Sequence, residues 1–123
     1  MPIITSQSKT KTIISFAVVG TLVADTDVSP SIIVPTSLTI IKVKTYVKTA
    51  PTGATLIVDV NKGGTTIFTT QGNRPTIAIS GNSDDSGTPD VTSLSEDDVL
   101  TVDVDQIGSS VAGADLTIEV VCE

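Results

Sequence analysis

Hydrophobic and polar residues alternate along several short stretches, most clearly over residues 54–60. One face of this stretch carries Ala54, Leu56, Val58 and Val60, and the other carries Thr55, Ile57 and Asp59. A period of two predicts a half-buried β-strand. The glycine-containing turn Asn61-Lys62-Gly63-Gly64 follows, and residues 65–70 are rich in threonine. We therefore predict a β-hairpin over residues 54–70.

The same periodicity predicts strands elsewhere, at residues 12–19, 31–34, 37–48, 76–80, 99–107 and 116–122. Glycine- and proline-containing turns separate them, and residues 81–90 predict a long surface loop. No segment has a convincing helical period. About eight antiparallel strands of this kind predict an all-β fold, an antiparallel, jelly-roll-like β-sandwich over residues 12–123. The polar residues 1–11 predict a short extended N-terminal arm.

Pairs of adjacent apolar residues interrupt the alternation at four places. They are Val18-Val19, Ile32-Ile33, Ile40-Ile41 and Val120-Val121. Within residues 37–48 the alternation reverses at Ile40-Ile41, which predicts a β-bulge or a change of sheet. Two interpretations of the pairs stay open: local bulges, or outer strand faces covered by neighbouring protomers.

The chain carries a net charge of −7 that is unevenly spread along it. Residues 1–50 hold five lysines and two aspartates, giving +3, whereas residues 51–123 hold one lysine, one arginine and twelve acids, giving −10. Nucleic-acid binding is not expected of so acidic a chain. The favoured interpretation of the acidic half is a solvated, exposed face. The alternative is a polarity, in which a near-neutral or basic end faces a scaffold and an acidic end faces solvent. No apolar run approaches the roughly 20 residues of a membrane span.

The residue types argue against catalysis. The chain has no histidine, and no serine lies in a nucleophile-elbow motif. The single cysteine, Cys122, shares a strand face with apolar residues and is interpreted as a small buried hydrophobe. We predict no enzyme activity and no cofactor.

Acidic residues supply the few candidates for a metal site. Residues 82–87, which include Asp84, resemble the first half of a calcium loop, but position twelve is a serine. Asp103 and Asp105 share one face of a predicted strand, and Asp59 could join them from a neighbouring strand. The favoured interpretations are a solvated loop and an exposed acidic strand face, so no metal is predicted.

Several strings from Lys48 onward resemble a module of tailed-bacteriophage virion proteins. The matching pieces are Ala50-Pro51-Thr52-Gly53-Ala54, LIVDVNKGGTTIFTT (residues 56–70), Asn73-Arg74-Pro75-Thr76-Ile77, Thr92-Ser93-Leu94 and LTVDVDQIGSSVAGADLTIEV (residues 100–120). The resemblance implies a jelly-roll-like sandwich, often assembled as trimers, with no catalytic residues. Similar modules occur in head decoration proteins, head fibres and tail or neck fibres.

A small module with a short arm suits a capsid decoration, or cement, protein on the virion surface. We expect it to bind the major capsid protein as a homo-oligomer, which the resemblance implies is a trimer, and to bind neither nucleic acid nor a membrane. The alternative is a tail or head-fibre module that adsorbs to a host-surface glycan. The predicted interface comprises Ile3, Ile4, Lys9, Lys11, Ile32, Ile33, Val34, Lys42 and Lys44.

Overall fold

A computed structural model describes residues 10–123 of the 123-residue chain. These residues form ten strands and one short 3-10 turn at Gln71–Asn73. The strands are β1 (Thr12–Thr21), β2 (Ile32–Ile33), β3 (Leu38–Thr49), β4 (Leu56–Lys62), β5 (Thr65–Thr66), β6 (Thr76–Ile77), β7 (Ser83–Asp85), β8 (Ser93–Leu94), β9 (Val99–Ile107) and β10 (Ala114–Cys122). No helix among residues 10–123 has the length and apolar character that a membrane crossing requires.

The strands form two antiparallel sheets of five strands each. In sheet 1 the order is β1-β10-β3-β7, with β8 also paired to β3, and in sheet 2 it is β2-β9-β4-β5, with β6 also paired to β4. The pairs are nested along the chain, because β1 pairs with β10, β2 with β9, β3 with β7 and β4 with β5. This nesting is that of a long hairpin rolled into two sheets, which confirms the predicted jelly-roll-like sandwich.

The core lies between the two sheets and is almost entirely aliphatic. Sheet 1 contributes Phe16, Val43, Val47 and Ile118, and sheet 2 contributes Leu56, Val58, Val60 and Val102, all essentially buried. Cys122 is also fully buried in this core, as its strand pattern predicted. Burial in apolar surroundings raises the pKa of its thiol, so the neutral form is favoured.

Bulges account for two of the four adjacent apolar pairs. Between β3 and β10, Cys122 pairs with Ile40 and Val121 with Lys42, so Ile41 is the extra residue. This confirms the bulge expected at Ile40-Ile41. Between β1 and β10 the register shifts after Val18, and Val19 becomes highly exposed.

The structure shortens three predicted strands and converts part of a predicted loop into a strand. Beyond Thr66 the chain leaves sheet 2, because the side chains of Ile67 and Phe68 enter the core instead of alternating. Residues 83–85, predicted as loop, form β7 at the edge of sheet 1. The hydrophobic pattern did not predict β7, because an edge strand with a solvated face needs few apolar residues.

The burial of core side chains predicts how much the free energy of unfolding falls when one of them is truncated. Leu56 is fully buried where β4 faces sheet 1, so Leu56→Ala is expected to lower the free energy of unfolding by about 2–5 kcal/mol. Val23→Ala is the matched control, because Val23 is 66% exposed. Urea unfolding followed by circular dichroism measures both, and an equal effect of the two substitutions would contradict the assigned core.

Candidate interaction surfaces

A cluster of buried polar side chains lies on the outer face of sheet 2. Asp59 on β4 is the direct neighbour of Asp103 on β9, so the structure brings together two of the three carboxylates that the sequence grouped. Asn61 Nδ2 donates a hydrogen bond of 2.8 Å to Asp103 Oδ2, and the amide N–H of Asp27 donates one of 3.0 Å to Oδ1. Asp103 is therefore buried, which corrects the prediction of an exposed acidic strand face.

Asp59 is held by donors from its own hairpin. Thr66 Oγ1 donates to Asp59 Oδ1 over 2.7 Å, and the amide N–H of Val60 donates to the same oxygen over 2.8 Å. Burial raises the pKa of Asp59, and the nearby carboxylates of Asp105 and Asp103 raise it further, while the two hydrogen bonds oppose the shift. The cluster thus stabilises the protonated form of Asp59.

The remaining acidic candidates are engaged elsewhere in the fold. Asp105 is the extra residue of a bulge in β9, and its Oδ2 accepts from Arg74 Nη1 over 2.6 Å. Asp84 lies on β7 in sheet 1, where its Oδ2 accepts from the amide N–H of Thr76 over 2.9 Å. Residues 83–85 form an extended strand instead of a loop that wraps around an ion, and the side chains of Asn82 and Ser86 are hydrogen-bonded to the backbone of β3. Within residues 10–123 no three Asp, Glu, Cys or His side chains form a group suited to a metal ion, and no cavity is found.

The predicted interface residues occupy different parts of the molecule. Ile3, Ile4 and Lys9 lie outside the described residues. Lys11 Nζ pairs with Glu123 over 2.7 Å beside the start of β1. Lys42 and Lys44 lie on the outer face of sheet 1, where both contact Asp85 Oδ2, at 3.0 and 3.3 Å.

The predicted contact strand at residues 31–34 is only partly accessible. Ile33 on β2 is 62% exposed, and Ile32 packs against the core. Val34 is 0% exposed. The side chain of Val34 therefore offers no surface to a partner, which corrects that part of the predicted interface.

In the folded structure, the basic residues of the first half of the chain lie beside acidic residues of the second half. Lysines of the first half pair with acids of the second half, as Lys42 does with Asp85 and Lys11 does with Glu123. This mixing follows from the nested pairing, which places early and late strands side by side in each sheet. The basic and acidic halves therefore do not form opposite faces, contrary to the polarity that the sequence left open as the alternative.

One end of the sandwich carries no charged residue in its loops. We call residues 20–24, 50–55, 78–82 and 108–113 the charge-free end, because they contain no Asp, Glu, Lys or Arg. Backbone hydrogen bonds join all four loops: Leu22 N to Gly113 O, Thr52 N to Val111 O, and Ser80 N to Pro51 O. Three of their large apolar side chains are exposed, namely Val23, Ile79 and Val111.

Glycine allows these loops to approach each other closely. Gly53 has a φ of +80°, a left-handed conformation that favours glycine. A Cβ at this position would also lie 2.8 Å from the backbone nitrogen of Ser110. The loop at residues 50–55 therefore packs closely against the loop at residues 108–113, and this packing gives the charge-free end a defined shape.

Sequence reasoning missed the charge-free end, although its signal is present in the composition. Each loop lacks charged residues, but a single loop of five or six uncharged residues is common and indicates nothing by itself. Their significance arises because the turns that follow β1, β3, β6 and β9 meet at the same end of the sandwich. The opposite end holds the acidic turn Glu96-Asp97-Asp98.

Comparisons with protein families, with curated proteins and with solved structures found no match to this chain. The resemblance to tailed-bacteriophage virion proteins therefore stays a prediction from the sequence.

The raised pKa of Asp59 predicts how stability depends on pH. A carboxyl that binds its proton more tightly in the folded state destabilises that state as the pH rises above the unfolded value, which is ordinarily 3.8. Asn can still accept the hydrogen bonds from Thr66 and Val60. We expect Asp59→Asn to unfold at a higher urea concentration than the wild type at pH 7. The difference should shrink as the pH falls through the raised folded-state pKa toward 3.8, because the Asp59 carboxyl is then protonated in both states.

Asp85→Asn serves as a control of opposite sign. Hydrogen bonding from Lys42 lowers the pKa of Asp85, so its stabilising contribution is present at neutral pH and is lost as the pH falls. This variant should unfold at a lower urea concentration at pH 7. If Asp59→Asn destabilises the protein equally at pH 7 and at acidic pH, the inferred desolvation of Asp59 is wrong.

Proposed function

We propose that this chain is a structural protein of a bacteriophage virion that binds the outer surface of the head. In this role it decorates the capsid and stabilises contacts between capsomers by binding the major capsid protein. It acts through surface contact, as a homo-oligomer, and without catalysis, a cofactor or nucleic acid.

The observation that carries the proposal is the charge-free end. The cores of protein interfaces are depleted of charged residues, because a buried charge must lose its hydration without full compensation. In a chain of net charge −7, four adjoining loops without a charge are suited to contact with another protein. The exposed side chains of Val23, Ile79 and Val111 supply apolar area to such a contact.

Two further arguments support a virion role. Jelly-roll sandwiches are common in viral capsid proteins, although this is an analogy at the level of the fold. The sequence strings between residues 50 and 120 resemble modules of tailed-bacteriophage virions. The rigid frame, held by nested strand pairs, suits a protein that must keep its shape on a particle surface.

Lys11, the last residue of the predicted arm, and the charge-free end lie at opposite ends of the sandwich. Lys11 adjoins Glu123, whereas the loop at 108–113 precedes β10, so the two are separated by the full length of that strand. We place the capsid contact at the charge-free end. We use the term competing contact surface for the sequence-predicted residues Lys11, Ile33, Lys42 and Lys44, which lie in different parts of the molecule, together with residues 1–9.

Binding to capsid shells tests this placement. Shells purified from the phage that encodes the chain are mixed with fluorescent protein and sedimented, and the bound copies are counted. We expect Val111→Asp to lower the apparent affinity at least about tenfold, because it adds an exposed carboxylate to loops that contain none. The nearby carboxylate of Asp115 already accepts a hydrogen bond from the amide N–H of Gly20. Ile33→Asp, at the competing surface, is expected to leave binding unchanged.

The opposite result would move the contact to the competing surface. Deletion of residues 1–9, which retains Lys11 and its pairing with Glu123, provides an independent check of the predicted arm. Electron microscopy of labelled protein on whole virions distinguishes head decoration from the alternative role in host adsorption. Many copies over the head support decoration, whereas a few copies at the tail support the host-adsorption alternative and contradict the proposal.

A further inference from the structure

β1 is an edge strand of sheet 1 and is the longest edge in the described structure. It pairs with β10 on one side, and no strand among residues 10–123 pairs with its other side. An edge strand presents a row of unpaired backbone N–H and C=O groups, which is a template for pairing with another chain. Ten residues, Thr12–Thr21, form this edge.

The strands at the other ends of the two sheets, β2, β5 and β7, have only two or three residues each. β2 consists of two residues, Ile32–Ile33, with Pro30 and Pro35 on either side. β7 consists of three residues and carries Asp84 and Asp85. Short strands, prolines and edge charges are devices that prevent edge-to-edge association.

β1 has none of these devices. Residues 12–21, TIISFAVVGT, contain no charged residue and no proline. In a protein with a net charge of −7 this strand can therefore meet an identical strand without placing like charges opposite each other. A bulge at its end, beyond Val18, leaves the preceding residues in regular pairing geometry.

The central residues of β1 are also symmetric in character about Phe16. Reading outward from Phe16, the flanking pairs are Ser15 with Ala17, Ile14 with Val18, and Ile13 with Val19. An antiparallel pair of identical strands centred on Phe16 would place these residues directly opposite each other. Small residues would then face small residues, and β-branched residues would face β-branched residues.

This register would cover two apolar side chains that are exposed on the single chain. Ile13 is 45% exposed and Val19 is 89% exposed on the isolated chain. In the Phe16-centred register, the symmetric partner of Ile13 is Val19. Val19 lies in the bulge between Val18 and Thr21, so the two side chains would meet beyond the last regular strand pair, twice by symmetry. Cross-strand pairs of apolar side chains stabilise antiparallel sheets, so the pairing would cover the side chain that protrudes most from β1.

We propose that two copies of this chain associate through β1, paired antiparallel about a two-fold axis that passes beside Phe16. The two copies of sheet 1 then form one continuous sheet, and the interface is isologous. The pairing gives a dimer, so a trimer of the kind that the sequence resemblance implies would use a different surface. The inference is independent of where the protein acts.

A pair of charge variants tests both the contact and its register. In the proposed dimer Ser15 of each copy lies opposite Ala17 of the other, and both residues are exposed on one chain. Ser15→Lys with Ala17→Lys places lysine opposite lysine, whereas Ser15→Lys with Ala17→Glu places lysine opposite glutamate. Both variants substitute the same two positions, so the second is a matched control for the first.

Sedimentation equilibrium up to about 1 mM protein measures the association. We expect a wild-type dimer, at least about tenfold weaker association of the lysine–lysine variant, and association of the lysine–glutamate variant at least as strong as wild type. Circular dichroism checks that both variants fold. A wild type that stays monomeric overturns the proposal, as does an assembly that the lysine–lysine variant leaves intact. Equal weakening of both variants overturns the Phe16-centred register.

Discussion

The position of the last strand is the constraint on which the rest of the structure depends. β10 lies between β1 and β3, and it pairs with both over most of its length. Sheet 1 therefore cannot form until the C-terminal strand has joined strands from the first half of the chain. Closing such long loops is entropically costly before the contacts form, so a fold of this topology is expected to form slowly compared with helical proteins.

The same nesting determines where charges and polar groups come to lie. It places Asp59 beside Asp103, although 43 residues separate them, and it places Lys42 beside Asp85. Neighbouring donors compensate the buried carboxylates, and Asn61 and Thr66 come from the hairpin that contains Asp59. The hydrogen bonds that these acids accept therefore constrain the outer layer of sheet 2. Their hydrogen bonds explain their burial without any appeal to a ligand.

Two surfaces differ from the rest of the molecule because they lack charged residues, and one of them also lacks a strand partner. The charge-free end brings four uncharged loops together, and β1 leaves an uncharged edge unpaired. They are physically distinct, since the first offers apolar side chains and the second offers backbone hydrogen-bonding groups. A protein with both can contact a second copy of itself and a larger assembly at the same time.

Local sequence determined the fold class and much of the core, because alternation with period two specifies which side chains of a strand face inward. Leu56, Val58 and Val60, the strand at 99–107 and the bulge at Ile40-Ile41 were all predictable in this way. The pairing of strands was not predictable from the sequence, since alternation with period two does not specify which strand is the partner. Only the tertiary structure showed that Asp103 is buried, that Val34 belongs to the core and that residues 83–85 pair with β3. Each outcome depends on a neighbour that is distant in the chain, and the sequence pattern around the residue contains no information about that neighbour.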